Sequence, residues 1–176
     1  MNLDETVNVS VRFSWELMGE VILDHKGSLA FPRMQFPWDG GGVYRITGRR
    51  PIETTSAYDR RSRWFFYIGQ SRDIPARLNK YRNPGPNQAT NIRVNEALRA
   101  ELRQGTRISL SVAREMRIKV GKEWRDLDTG STIQRTLAES AALMQAYATE
   151  DLGDVDILNK GLDDSVDREF KDAPWP

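Results

Sequence analysis

Two apolar runs near the middle of the chain, GVYRIT and WFFYIGQS, each place a tyrosine close to a glycine. Runs rich in aromatic and β-branched residues are typical of β-strands, so the sequence predicts two neighbouring strands that carry Tyr44 and Tyr67. A phenol can donate or accept a hydrogen bond, and it can act as a base when its pKa, ordinarily ~10, is lowered. The two strands therefore present groups suited to acid–base chemistry.

A short helix is predicted directly after the second strand. Ser71 or Asp73 can cap its first turn. Arg77 and Tyr81 stand four residues apart, which puts both side chains on one face of the helix. A guanidinium is planar and can hold a phosphate through two parallel hydrogen bonds. The sequence order thus delivers two phenols, one fixed cation and a third phenol to a single place.

Two further polar residues complete an ordered pattern. Glu139 is the only charged residue between Arg135 and Glu150 on a predicted helix, and Asn159 lies in the segment DILNKG. The whole set resembles the signature of the GIY-YIG nuclease superfamily, in which an arginine follows the second glycine by eight residues and a histidine or tyrosine follows that arginine by four. The resemblance covers roughly residues 42–161, and the ordered set is more specific than either tripeptide alone.

The resemblance implies an endonuclease that hydrolyses phosphodiester bonds with one divalent metal, Mg²⁺ or Mn²⁺. Glu139 would hold the metal, since Mg²⁺ keeps most of its waters and often takes only one or two carboxylates. Arg77 would bind the scissile phosphate. Either Tyr44 or Tyr67 would act as the base on water, with Arg77 and the metal lowering the pKa of that phenol.

The roles implied for the other two residues remain open between alternatives. Tyr81 would orient the water or bind phosphate. Asn159 would hold the helix and the active-site loop through amide hydrogen bonds or touch the substrate, and a structural asparagine at a turn before Gly161 fits equally well. The six predicted catalytic residues are Tyr44, Tyr67, Arg77, Tyr81, Glu139 and Asn159.

DNA is the expected substrate and partner. A long segment between the two motif strands, residues 47–63, a polar insert at 117–130 and about forty residues before the first motif resemble stand-alone, restriction-type members more than a repair subunit. This interpretation leaves a homodimer open. Two alternatives stand beside it: a structure-specific nickase for repair or mobile-element processing, and a non-catalytic nucleic-acid-binding module of the same fold.

Charge is unevenly spread along a chain whose net charge is only +1. Residues 45–125 hold 19 Lys/Arg against 7 Asp/Glu, whereas residues 149–176 hold 3 against 9. A basic stretch around the motif suggests a surface for a polyanion. The residues predicted to contact nucleic acid are Arg49, Arg50, Arg60, Arg61, Arg63, Arg72, Lys80 and Arg82.

Composition excludes several other kinds of site. Zero cysteines rule out disulfides and thiol catalysis, and a single histidine, His25, rules out multi-histidine nucleases and His/Cys zinc sites. No apolar run approaches the length of a bilayer span. The acidic, polar start MNLDETVNVS is unlike a signal or transit peptide. We therefore expect a cytoplasmic protein without membrane association.

The remaining patterns predict an α/β chain of the α+β type, with a small mixed or antiparallel central sheet, about three flanking helices and an N-terminal strand extension. Strict alternation over residues 7–15 predicts the first strand. Ser131 and Gln134 match a capping box before the Glu139 helix. We expect one domain over 1–176. Its parts are a strand extension at 1–41, a GIY-YIG-like nuclease core at 42–161 and an acidic tail at 162–176.

Overall fold

The computed structural model describes residues 8–34, 41–51, 63–150 and 155–159. Within these ranges the chain forms seven strands and three helices. In chain order they are β1 (Val9–Leu23), β2 (Leu29–Ala30), β3 (Gly42–Arg49), β4 (Trp64–Ser71), α1 (Ile74–Arg82), α2 (Ala89–Arg103), β5 (Arg107–Val120), β6 (Glu123–Asp126), α3 (Thr132–Glu150) and β7 (Val155–Ile157).

The strands form one open sheet in the order β2-β1-β5-β3-β4-β7, with β6 beside β5. All pairs are antiparallel except β4 and β7, which run parallel. The predicted fold class is confirmed: a mixed, mostly antiparallel sheet flanked by three helices, with a strand extension at the N-terminus. The boundaries of the three predicted parts stay predictions, and the acidic tail lies outside the described residues. Among the described helices, none is both long and apolar enough to cross a membrane.

The first strand is longer than its alternating pattern. The pattern predicts a strand over 7–15, and β1 continues well past that range beside β5. Its register with β5 shifts between Phe13 and Trp15 and again between Leu17 and Gly19. Each such irregularity changes which residues face inward, because side chains alternate with a period of two. The alternation therefore stops at the first shift, although the strand does not.

Two hydrophobic cores lie on opposite faces of the sheet, because successive side chains of β3 and β4 point to opposite sides. The first core, between the sheet and helices α1 and α2, contains Tyr44, Tyr67 and Tyr81. The second core lies under α3, where Ala138, Ala142 and Ala146 recur every four residues and are buried. Small side chains at that spacing let a helix approach the sheet closely. The two strands that carry the motif tyrosines are thus packed against helices on both faces of the sheet.

The N-termini of α1 and α3 carry side-chain caps. Of the two predicted caps for α1, Asp73 is the one that accepts the hydrogen bond of Ala76 N, at 2.8 Å. The capping box predicted for α3 forms only in part. Ser131 Oγ accepts from Gln134 N at 3.4 Å, but Gln134 Oε1 accepts from Asp128 N at 2.8 Å instead of from Ser131 N. The glutamine therefore ties the preceding turn, not the cap residue, to the helix.

Candidate active site

The pairing of β3 with β4 places the two motif glycines and tyrosines against each other. Tyr44 lies directly opposite Gly69 in the antiparallel register. The ring of Tyr44 occupies the space that a side chain on Gly69 would take, since an added Cβ would stand 2.3 Å from Tyr44 Oη. Glycine is therefore required at this position so that the phenol can reach the centre of the site.

Three phenols meet in a connected hydrogen-bond network. Tyr81 Oη lies 2.6 Å from Tyr44 Oη and 2.9 Å from Tyr67 Oη. The rings of Tyr44 and Tyr67 both meet the ring of Tyr81 edge to face, an arrangement that aromatic pairs favour. Tyr81 is the hub, and it is fully buried. The phenol that sequence analysis leaves with two alternative roles thus holds the other two in place.

Arg77 closes the network from the same helix. Its Nε donates to Tyr81 Oη at 3.1 Å, and its Cζ lies 4.8 Å from the centre of the Tyr81 ring. The four-residue spacing in α1 is what brings the two side chains together. Arg77 also interacts with Tyr44 through a side-chain hydrogen bond, and it lines the neighbouring cavity.

Burial dominates the pKa values of the three phenols. Burial, the largest cause, raises the pKa of Tyr44, Tyr67 and Tyr81 above the ordinary value. Arg77 acts in the expected direction and lowers each pKa, but it does not outweigh burial. For Arg77 itself, burial lowers the pKa, but the surrounding phenols raise it by a larger amount, so its net pKa is increased. The charge of Arg77 thus acts in the predicted direction on each phenol, and the net lowering expected from Arg77 and a bound metal together stays a prediction.

An open cavity of about 470 Å³ lies beside the network. Five of the six predicted catalytic residues line it, and the sixth, Tyr81, lies buried beneath them. The five are Tyr44, Tyr67, Arg77, Glu139 and Asn159. Glu139 reaches the cavity from α3, close enough to Tyr67 that its charge adds to the increase in the pKa of that phenol.

Asn159 acts on the backbone of β4. Its Oδ1 accepts from Ile68 N at 2.9 Å, and its Nδ2 donates to Ile68 O at 2.7 Å. This amide continues the edge pairing just beyond the three residues of β7, which pair with Trp64 to Phe66. The strand that carries Tyr67 is therefore fixed at the residue directly after it.

Glu139 is the one carboxylate among the described residues that line the cavity. The described part of the chain contains no group of three or more His, Cys, Asp or Glu residues that could enclose a metal ion. A single carboxylate beside an open, polar cavity fits Mg²⁺, which keeps several waters and uses few protein ligands. It does not fit an ion that needs a full set of protein ligands, such as structural zinc.

The predicted nucleic-acid residues separate into several locations. Arg72 and Lys80 line the catalytic cavity. Arg82 lies elsewhere on α1, where it pairs with Asp24 at 3.4 Å. Arg49 and Arg63 line a second depression at the opposite end of β3 and β4, and Arg60 and Arg61 lie outside the described residues.

Arg50 is placed inside the protein. It is only 4% exposed, its Nη2 lies 2.8 Å from Glu101 Oε1, and its Nη1 pairs with Asp156. Its guanidinium also lies over the ring of Phe65. Arg50 thus joins α2, β7 and β4 inside the protein through its contacts with Glu101, Asp156 and Phe65. We therefore leave Arg50 out of the surface that could contact nucleic acid.

Sequence analysis missed a buried arginine that organises the cavity wall. Arg135 Nε donates to Gln70 Oε1 at 2.9 Å, and its Nη1 donates to Thr129 O at 2.6 Å. The first bond joins the start of α3 to the end of β4 and the second joins α3 to the turn before it, so together they set the position of Glu139 relative to the strands. A signal was available, because Arg135 precedes Glu139 by four residues and shares its helix face.

No protein-family model and no curated protein matches the chain. Among solved structures, the chain is similar to that of a mutant of bacteriophage T4 EndoII. The two share 16% sequence identity over 78% of this chain and 88% of that chain, with a TM-score of 0.44. A likeness this distant assigns neither a family nor an activity, so the proposal below is based on the residues of the cavity.

Proposed function

We propose that this protein is a divalent-metal-dependent endonuclease of the GIY-YIG type that hydrolyses phosphodiester bonds in DNA, acting as a restriction-type enzyme. One observation supports this most strongly. A connected group of three phenols and a guanidinium shares an open cavity with a single carboxylate from the opposite face of the sheet. Each part matches one requirement of phosphodiester hydrolysis.

The phosphate would be bound by positive charge on one side of the cavity. Arg77 is held by Tyr81, so its orientation is fixed before substrate arrives. A guanidinium positioned in this way can donate two hydrogen bonds to a phosphate and can oppose the charge that develops on it. Arg72 and Lys80 line the same cavity and would attract the flanking phosphates.

Tyr67 is the better of the two candidates for contact with the attacking water. It is 6% exposed, against 1% for Tyr44, and the charge of Glu139 contributes to its raised pKa. With a raised pKa its hydroxyl is neutral at physiological pH, so it would orient the water by hydrogen bonding. Its rare phenolate would be a strong base, and the population of phenolate would increase with pH.

The metal would be held by Glu139 together with water. When bound, Mg²⁺ or Mn²⁺ would supply charge neutralisation at the phosphate and at the leaving oxygen. The position of Glu139 depends on the chain itself, because the alanine stripe seats α3 on the sheet and Arg135 ties the first turn of α3 to β4. The protein thus provides one charged ligand at a fixed place.

Plasmid cleavage with and without Mg²⁺ tests the proposal. We expect the parent protein to cut only with the metal, and Glu139→Gln to bind DNA with parental or higher affinity while cutting at least ~10²-fold more slowly. Glu123→Gln is the matched control, because Glu123 is an exposed glutamate on the remote strand β6. Discrete double-strand fragments support a restriction-type enzyme.

Three other outcomes would count against parts of the proposal. Nicks confined to branched DNA would replace the restriction role with a structure-specific nickase. Binding without cutting at any metal concentration would leave a binding module. Parental cutting by Glu139→Gln would remove the metal assignment and most of the site with it. Solution mass measured on the same sample tests whether the active form is a homodimer.

A further inference from the structure

Three arginines gather at the end of the sheet opposite the catalytic cavity. Arg49 on β3 is the direct cross-strand partner of Arg107 on β5. Arg63 stands at the start of β4, where its carbonyl oxygen accepts from Arg50 N at 2.9 Å. We refer to Arg49, Arg63 and Arg107 as the arginine rim. Like charges directly opposite each other on neighbouring strands destabilise a sheet, so the pair of Arg49 and Arg107 is expected to reduce the stability of the protein.

The rim surrounds a depression of about 350 Å³ whose floor is built from Arg50, Pro51 and Gly105. The floor is held firmly, because Arg50 is anchored by Glu101 and Asp156. Four of the six residues that line the depression are arginines. Guanidinium groups bind phosphate through paired hydrogen bonds, so an anion is the kind of ligand that this lining suits.

Two carboxylates close to the rim in the described part of the chain, Glu101 and Asp156, are already engaged by Arg50. Both oxygens of Glu101 accept from Arg50 Nε, at 3.0 and 3.1 Å, and Thr106 Oγ1 donates to the same carboxylate at 2.8 Å. Asp156 is paired with Arg50 as well. Across the ranges 8–34, 41–51, 63–150 and 155–159, the rim arginines form no ion pair with a carboxylate. All three rim side chains are exposed.

Arg49 is also held in position. It pairs across the strands with Trp64, and its Cζ lies 5.5 Å from the centre of the Trp64 ring. Stacking on an aromatic face limits the movement of a guanidinium while leaving its N–H groups available at the edge. A guanidinium fixed in this way loses less conformational freedom when it binds an anion.

We propose that the arginine rim is a second phosphate-binding subsite, which takes one backbone phosphate of the DNA that occupies the catalytic cavity. This rests on the proposed function. The five residue steps of β4 from Trp64, beside the rim, to Gly69, in the cavity, span about 17 Å. Successive phosphates of one strand advance by about 3.4 Å along the duplex axis, so for a duplex whose axis follows β4 the subsite would take a phosphate about five nucleotides from the scissile bond.

Salt-dependent binding to an uncut duplex, without divalent metal, tests the subsite. Each lost phosphate contact should reduce the slope of log affinity against log salt concentration by about 0.9. We expect this change in Arg107→Gln and in Arg49→Gln, with affinity lower by about tenfold at low salt. Arg125→Gln is the matched control. It removes the same charge at an exposed position on β6, beside the far end of β5, and should leave the slope unchanged.

Two further measurements separate a phosphate subsite from general surface charge. Neutral methylphosphonates placed singly along the duplex should weaken parental binding at a position about five nucleotides from the cut, and that effect should disappear in Arg107→Gln. The melting temperature of Arg107→Gln at low salt should equal or exceed that of the parent, because a repulsive pair is removed. An unchanged salt slope in both rim variants, or no such position in the methylphosphonate series, would overturn the subsite.

Failure of the subsite and failure of the proposed function give different results. If the parent cuts DNA but the rim variants bind with the parental salt slope, only the subsite is wrong. If the parent binds through the rim but cuts nothing under any metal condition, the endonuclease is wrong and the phosphate subsite stands.

Discussion

Replacing Tyr81 with phenylalanine removes one oxygen atom from the centre of the candidate active site. That oxygen contacts two phenols and one guanidinium in a fully buried position. A neutral hydrogen bond contributes about 0.5–1.5 kcal/mol to stability, and one to a charged group about 1.5–3 kcal/mol. Some of this is recovered if the remaining groups pair with each other, so we expect Tyr81→Phe to lower the free energy of unfolding by about 3 kcal/mol.

This loss has a measurable signature. For a chain of this size, about 3 kcal/mol corresponds to a decrease of about 6–12 °C in melting temperature. Tyr44→Phe is the internal comparison, because it removes one of the three contacts of Tyr81 Oη together with the bond between Tyr44 and Arg77, and it should cost about 2 kcal/mol. Urea unfolding of the two single variants and the double variant gives a coupling energy, which should be about 1 kcal/mol if the phenols bond as described.

The same variant should also lose activity, because Arg77 and Tyr67 lose the atom that orients them. We expect kcat for DNA cleavage to decrease by at least about tenfold in Tyr81→Phe, with a smaller change in KM, since a positioning residue acts on the reacting groups. A variant that unfolds within 0.5 kcal/mol of the parent and cuts at the parental rate would refute the network as the organising unit of the site.

Three more results are expected. Gly69→Ala should displace the Tyr44 phenol, because the new Cβ would stand 2.3 Å from its oxygen, and should reduce cutting and stability together; Gly85→Ala, where the nearest atom is 3.4 Å away, is the control. If Tyr67 is the base, Tyr67→Phe should cut at least ~10²-fold more slowly than the parent, whereas parental cutting by this variant would contradict a tyrosine base. Asn159→Asp should be less stable than the parent in thermal unfolding, since a carboxylate cannot donate to the β4 carbonyl; an unchanged melting temperature would contradict the backbone role.

The pH dependence of stability follows from the same pKa values. The folded-state pKa of the three phenols is raised above the unfolded value of ~10. Their contribution to stability is therefore fully present below pH ~10 and is lost as the pH increases through the folded-state values. Alkaline titration followed by tyrosine absorbance should show these phenols ionising only as the protein unfolds.

The parts of the fold that could be predicted from the sequence depend on local periodicity. The β-branched and aromatic runs define β3 and β4, and the four-residue spacing of Arg77 and Tyr81 defines one face of α1. The isolated charge at Glu139 singles it out on α3. These signals survive because backbone geometry alone sets the spacing of side chains along a strand or a helix.

The rest depends on contacts between segments that are distant in sequence. Arg50 belongs to a basic run and is expected at the surface, but Glu101 and Asp156, 51 and 106 residues away, draw it inside. Likewise, Tyr81 contacts both Tyr44 and Tyr67 because α1 packs against the sheet at this place. The degree of burial then decides their pKa, which sequence spacing does not encode.

The division of the site between two hydrophobic cores has a consequence for the growing chain on the ribosome. The phenols belong to the core under α1 and α2, whereas Glu139 belongs to α3, which follows six of the seven described strands in the chain. A nascent chain that has folded only its earlier core therefore has a substrate-binding wall without its metal ligand. Under the proposed function, cutting requires groups from both cores, so we expect a chain that has folded only the earlier core to bind DNA without cutting it.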